Sequence, residues 1–217
     1  MEILITNDDG YRSRGIAVLI AQMERLGHVT VVAPDGARSG MSNAITVEKK
    51  MTLKRIEHTQ SRDIYITNGT PSDCLKLAVN IIYKDRLPDL VVSGINHGSN
   101  ASVNVMYSGT MGACFVATEQ GIPAIGFSLC DHRAEADFSA LETYIIPLTR
   151  HLLERGFPPR VCYNVNAPVG TLQGWRFTRQ SRAHWTNEIA EHIDDNGEPY
   201  YLLQGEFVNE EPTAEDT

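Results

Sequence analysis

Two adjacent carboxylates, Asp8 and Asp9, follow the short apolar run Ile3 to Thr6 and precede Gly10. If that run is a buried strand, both carboxylates lie in the loop leaving its carboxyl end, where open α/β sheets bind ligands. Neighbouring carboxylates repel unless a cation or a shared proton compensates. Hard divalent ions such as Mg²⁺ and Mn²⁺ accept oxygen ligands of this kind. The same residues also suit a plain turn, with Asp8 capping the next helix and Asp9-Gly10 reversing the chain. Both readings stand on the pair alone.

Other polar loops strengthen the first reading. The run Val29 to Ala33 closes in Pro34-Asp35-Gly36 and continues through Ser39, Ser42 and Asn43. Leu90 to Ser93 leads into Gly94-Ile95-Asn96-His97-Gly98-Ser99-Asn100, a loop by composition. Parallel strands would bring these loops to the edge that holds Asp8 and Asp9. Two carboxylates, a hydroxyl and an amide make an oxygen-only set, which favours Mg²⁺ or Mn²⁺ over zinc. Taken singly, Ser39, Asn96 and His97 are ordinary turn residues or structural hydrogen-bonders. A fourth segment, Tyr107-Ser108-Gly109-Thr110-Met111-Gly112-Ala113, passes from polar loop into helix. Its small residues and unpaired helix-start N–H groups suit a phosphate, and equally suit a capped helix that binds nothing. Neither GxGxxG nor GxxxxGK[ST] is present, and no GxSxG surrounds Ser39.

The elements that would position these loops alternate in type. Ile16, Leu19, Ile20, Met23 and Leu26 recur at helical spacing, with Gly27 as the expected C-cap. Alternation near Ala44 to Leu53 and Arg62 to Thr67 suggests a hairpin beside the main sheet. Thr70-Pro71-Ser72-Asp73 reads as a helix start. Met111 to Gln120 and Phe138 to Glu154 read as helices, with strands at Ala124 to Ser128 and Val161 to Val165. The pattern predicts a Rossmann-like, doubly wound α/β core with a mostly parallel sheet over residues 1–168. Residues 169–217 read as a C-terminal β extension, with isolated strands at Trp175 to Thr178 and Tyr200 to Leu203. That extension suits an oligomerisation arm, or a solvated subdomain of the same chain. Glu210 to Thr217 is expected to fray.

Composition narrows the partners. The net charge is −8, yet residues 183–217 hold ten acidic side chains and no Lys or Arg. The remaining residues therefore carry +2, from 19 basic and 17 acidic side chains. That balance argues against extended nucleic-acid binding and leaves a small phosphate open. No apolar run approaches the length of a membrane span, and no basic segment precedes an apolar one at the N-terminus. Cys74, Cys114, Cys130 and Cys162 form no CxxC pair and suit free thiols in a reducing cytoplasm.

With these residues in place, the chain resembles the SurE family of stationary-phase survival proteins and nucleotidases. The resemblance rests on five ordered blocks: Ile5 to Gly10, Ala33 to Gly40, Asn68 to Cys74, Ser93 to Asn100 and Tyr107 to Ala113. It continues through Ile122-Pro123-Ala124 and Asn164 to Pro168. The resemblance implies a phosphomonoesterase dependent on one divalent metal, Mg²⁺ or Mn²⁺, acting on nucleoside 5′- and 3′-monophosphates. It implies metal ligands at Asp8, Asp9, Ser39 and Asn96, and phosphate contacts at Asn43, Ser108, Gly109 and Thr110. It also implies dimerisation through extended C-terminal elements, giving a homodimer or homotetramer. Asn104 and Val116 depart from the family pattern, which often carries Asp and Glu there. Relatives often run on from a similar point into an Asp-containing segment and a final strand, so the expectation is a chain that is truncated or that ends in something outside this sequence.

The expected chemistry is hydrolysis by metal-activated water, with Asp8 or Asp9 orienting the attacking water. The alternative is a non-catalytic nucleotide-binding stress-response module that uses the same loops without cutting the phosphate.

Overall fold

The computed structural model describes residues 1–133 and 135–211. They divide into two compact units: Met1–Asn100 with Asn104–Trp175, and Ala101–Val103 with the chain from Arg176 onward. The expectation of a frayed end falls largely on residues 212–217, outside the described residues.

The first unit is a seven-stranded sheet of order β3-β4-β2-β1-β5-β6-β7. Its strands are β1 (Glu2–Thr6), β2 (His28–Pro34), β3 (Lys54–His58), β4 (Arg62–Thr67), β5 (Leu90–His97), β6 (Ala124–Leu129) and β7 (Tyr163–Ala167). All neighbours pair in parallel except β3, which runs antiparallel to β4 at the edge. Helices α1 (Arg14–Met23) and α4 (Ser139–Arg155) cover one face. Helices α2 (Pro71–Leu77) and α3 (Gly109–Glu119) cover the other.

Strand alternation explains the two cores. Ile3 and Ile5 pack with Ile16, Leu19 and Met23, while Leu4 between them packs with Leu75, Met111 and Ala117. Val92 and Val91 divide in the same way on β5. A strand buried on both faces reads as a continuous apolar run, and each fully buried Ile or Leu contributes about 1.5–3 kcal/mol. The Rossmann-like, mostly parallel α/β architecture is therefore the one expected.

Several local expectations are corrected. Residues 44–53 form no strand, and the strand pairing with β4 begins at Lys54. Instead of standing beside the sheet, β4 joins it next to β2. Gly27 does not cap α1, whose C-cap is Glu24. A Cβ at Gly27 would lie 2.1 Å from the Met1 carbonyl oxygen, so this glycine permits close approach to the start of β1. Gly94 to His97 are not loop: β5 continues through them with a register shift between Ser93 and Asn96. The Gly94–Ile95 peptide is cis.

Trp175 to Thr178, at the start of the expected extension, are not a strand. The strands of the second unit form two antiparallel pairs rather than isolated segments. One pair joins β9 (Ile189–Ile193) to β10 (Pro199–Leu203). The other joins β8 (Ala183–Thr186) to β11 (Glu206–Asn209). All four cysteines are free. No helix among the described residues is long and apolar enough to cross a membrane.

Candidate active site

Asp8 and Asp9 follow β1 directly, at the carboxyl edge of the sheet. Their loop is braced from within: the Asn7 side-chain amide donates to the Gly10 carbonyl and to Ser13 Oγ. Ser13 also caps α1, so the loop ends where the helix begins.

The loop after β2 is tied to this first loop. The Tyr11 amide donates to the Pro34 carbonyl at 3.0 Å, and the Arg38 amide donates to the Asp8 carbonyl at 2.6 Å. Ser39, next along, is exposed beside that junction. The Arg38 guanidinium turns back to Asp35 Oδ1 at 2.7 Å, which stiffens the turn.

The bulged end of β5 supplies Asn96 and His97. The Asn96 amide nitrogen donates to the Gly98 carbonyl at 2.8 Å, which leaves the side-chain oxygen as the atom able to meet a cation. The His97 ring faces Arg133 O at 3.2 Å and packs edge-on against Phe138, a structural placement. Asn100 anchors the segment that follows. Its side chain donates to Ser128 Oγ, its main-chain N–H to Asn166 Oδ1, and its carbonyl accepts from the Asn164 amide. Sequence reasoning missed this network. Its one signal was the run Asn164-Val165-Asn166, polar on alternate residues of a strand.

Helix α3 closes the site. Its N-cap is Ser108, whose hydroxyl accepts from the Met111 amide, while Gly109 and Thr110 form the first turn. A Cβ at Gly109 would lie 2.9 Å from the Asp8 Cβ, so the helix start rests directly on that side chain. The Thr110 hydroxyl donates to Asp8 Oδ1 at 2.7 Å. A Cβ at Gly112 would lie 2.7 Å from Asn43 Oδ1, placing the exposed Asn43 beside the same turn. The Thr110 hydroxyl is thus committed to Asp8, whereas the Ser108 hydroxyl, an acceptor here, keeps its O–H to offer a ligand beside the main-chain N–H groups of the helix start.

The electrostatics are unbalanced. Asp8 is buried, and that burial raises its carboxyl to about 6, with the charge of Asp9 adding to the rise and Thr110 opposing it. Burial also raises Asp9, against the attraction of His97 and its main-chain N–H. Asp9 Oδ2 and Asn7 Oδ1 are buried without a hydrogen-bond partner among the described residues. No cluster of three His, Cys, Asp or Glu side chains suits a metal among the described residues. A cation here would therefore draw on neutral oxygens beside the aspartate pair. The donor set and its unpaired oxygens fit a hard divalent ion.

A doubly wound α/β protein with an oxygen-donor site at the carboxyl edge of its sheet is the class that fold and geometry define. The family model described as Survival protein SurE matches residues 3–187. The 5′-nucleotidase SurE of Phocaeicola vulgatus is 45% identical over 216 residues, covering 99% of this chain and 84% of that protein. The one from Flavobacterium psychrophilum is 47% identical, with the same two coverages. The crystal structure of the SurE protein from Aquifex aeolicus superposes with a TM-score of 0.80 at 33% identity, covering 95% of this chain and 83% of that one. The chain belongs to the SurE family.

Proposed function

We propose that this chain is a metal-dependent nucleotidase that hydrolyses nucleoside 5′- and 3′-monophosphates to nucleoside and phosphate. The observation that carries the reading is the buried Asp8 beside the half-buried Asp9, both raised in pKa, with Asp9 Oδ2 unpartnered among the described residues and Asp8 against the first turn of α3. The 5′-nucleotidase names of its relatives support the substrate class.

Asp8, Asp9, Ser39 and the Asn96 side-chain oxygen would hold one Mg²⁺ or Mn²⁺. When bound, that ion supplies positive charge for the phosphoryl oxygens and acidifies water. The protein's own residues do the rest. The Gly109 main-chain N–H and the Asn43 side-chain amide receive phosphate oxygens at the helix start. Thr110 serves indirectly, by holding Asp8. Asp9, the less enclosed of the pair, orients the attacking water and takes its proton. Gly109 brings helix and carboxylate close enough for one phosphate to meet both.

The test is phosphate release from a panel of 5′- and 3′-nucleoside monophosphates with Mg²⁺, Mn²⁺ or EDTA, for the wild type beside Asp9→Asn. Release that requires metal and falls by at least ~10²-fold in the variant is expected. Saturable nucleotide binding without release under any condition would overturn the reading in favour of a binding module.

The second unit provides the subunit contact. Its strands expose Ile189, Ile193, Tyr201 and Leu203 at 60%, 63%, 60% and 81%. Apolar exposure on this scale suits a second copy of the chain, in a homodimer or homotetramer. Light scattering that reads a monomer would overturn the assignment.

A further inference from the structure

The phosphate seat proposed above accounts for only one end of a nucleotide. Tyr107 lies one residue before the Ser108 cap, at the rim of that seat, with 53% of its surface exposed. Met106 beside it is 63% exposed. Met41, on the loop after β2, is 39% exposed.

Two hydrogen bonds bring these residues to one place. The Ser42 amide donates to the Tyr107 carbonyl at 3.1 Å, and the Ser42 hydroxyl donates to the Met106 carbonyl at 2.6 Å. The Tyr107 amide in turn donates to the Asn104 carbonyl. The main chain under the ring is therefore held, while the ring itself is open to solvent.

Tyr107 differs from the other exposed aromatic of the first unit. Trp175 packs edge-on to Tyr144 at 6.0 Å and lies 5.8 Å from the His151 ring. The Tyr107 ring has no ring partner and no hydrogen bond among the described residues. An exposed aromatic ring at the rim of a phosphate seat fits a flat apolar group attached to that phosphate.

We propose that the exposed ring of Tyr107, whose main chain is tied through Ser42 to the loop that carries Met41, is the stacking platform for the nucleobase of the substrate. The inference rests on the phosphate seat described under the proposed function. Every nucleobase has a π-face, so stacking of this kind tolerates purines and pyrimidines alike. The platform thus selects nucleotides over bare sugar phosphates without selecting one base. Asn43, joined to the same loop, connects the phosphate end of the site to this rim.

The experiment compares kcat/KM for adenosine 5′-monophosphate and for ribose 5-phosphate in wild type, Tyr107→Ala and Tyr107→Phe, with Mn²⁺ present. The wild type is expected to prefer the nucleotide, and Tyr107→Ala to shrink that preference about tenfold or more through KM. Tyr107→Phe keeps the ring and is expected to keep the preference. An unchanged preference in Tyr107→Ala, or a wild type with none, would overturn the platform while leaving the phosphatase reading intact. A wild type that releases phosphate from neither compound would overturn both, and is recognised by that shared silence.

Discussion

Two helices on the same face of the sheet begin at a buried aspartate, and the protein treats the two carboxylates in opposite ways. At α2, Asp73 completes a capping box with Thr70. Its oxygens accept from the Thr70 amide at 2.9 Å, the Thr46 amide at 3.0 Å and the Thr46 hydroxyl at 2.7 Å. Burial alone would raise it, but these bonds overcome that cost and hold it below the usual carboxylate range. At α3, Asp8 belongs to a distant strand end and faces the helix start with Thr110 as its one side-chain donor. A like charge stands beside it in Asp9, and its carboxyl rises to about 6. A fully partnered carboxylate is structural. One that is buried with a like charge beside it and stays raised is waiting for positive charge.

Replacing the two aspartates separates these roles. Asp8→Asn is expected to cut turnover by at least ~10²-fold, while the metal-free protein gains stability at pH 7. The sign follows from the raised pKa. The native state holds its proton more tightly than the unfolded chain, so stability is full below the ordinary value of 3.8 and falls as pH rises toward about 6. The shift corresponds to a penalty of about 3 kcal/mol at neutral pH. Urea unfolding of the metal-free proteins between pH 4 and pH 8 checks this. A variant as pH-sensitive as the wild type would break the contrast.

Asp73→Asn is expected to show the reverse. It places an amide N–H against donors from Thr46 and Thr70 and destabilises by about 1–3 kcal/mol. Because the Asp73 carboxyl is lowered, that stability is present above its ordinary pKa and is lost as pH falls. Turnover per folded molecule should drop far less than in Asp8→Asn, read by phosphate release at a temperature where the variant is folded. A variant as stable as the wild type would remove Asp73 from the comparison.

The smallest expected effect belongs to Thr110. Thr110→Val removes the hydroxyl that opposes the rise at Asp8, so the acid limb of the kcat/KM profile should move to higher pH. A turnover loss of about tenfold accompanies it, as expected for one hydrogen bond to a charged group. Thr110→Ser should restore both. An unmoved pH profile in Thr110→Val would show that the hydroxyl does not help set the Asp8 pKa.

The core strands were legible because burial on both faces leaves a simple mark. Ile3 to Thr6, Val29 to Ala33 and Ala124 to Ser128 are unbroken apolar or small runs between turn residues. Thr70-Pro71-Ser72-Asp73 declared its helix through local bonds alone, and the capping box is there. The errors fell where partners are distant. Polar composition suggested a loop at Gly94 to His97, yet neighbouring β6 continues to pair with Asn96 and His97. Gly27 suggested a cap, yet the Met1 carbonyl is what excludes a side chain there.

The sequence by itself determined the alternation of strands and helices, the two-carboxylate loop and the family, because these reside in local pattern and ordered motifs. Only the tertiary structure decided what each polar group does. Thr110 turns to Asp8 across 102 residues of chain, and Asn100 is held by Asn164 and Asn166 more than sixty residues away. A carboxylate's pKa depends on the donors and charges that folding brings around it, and residue spacing carries no record of those.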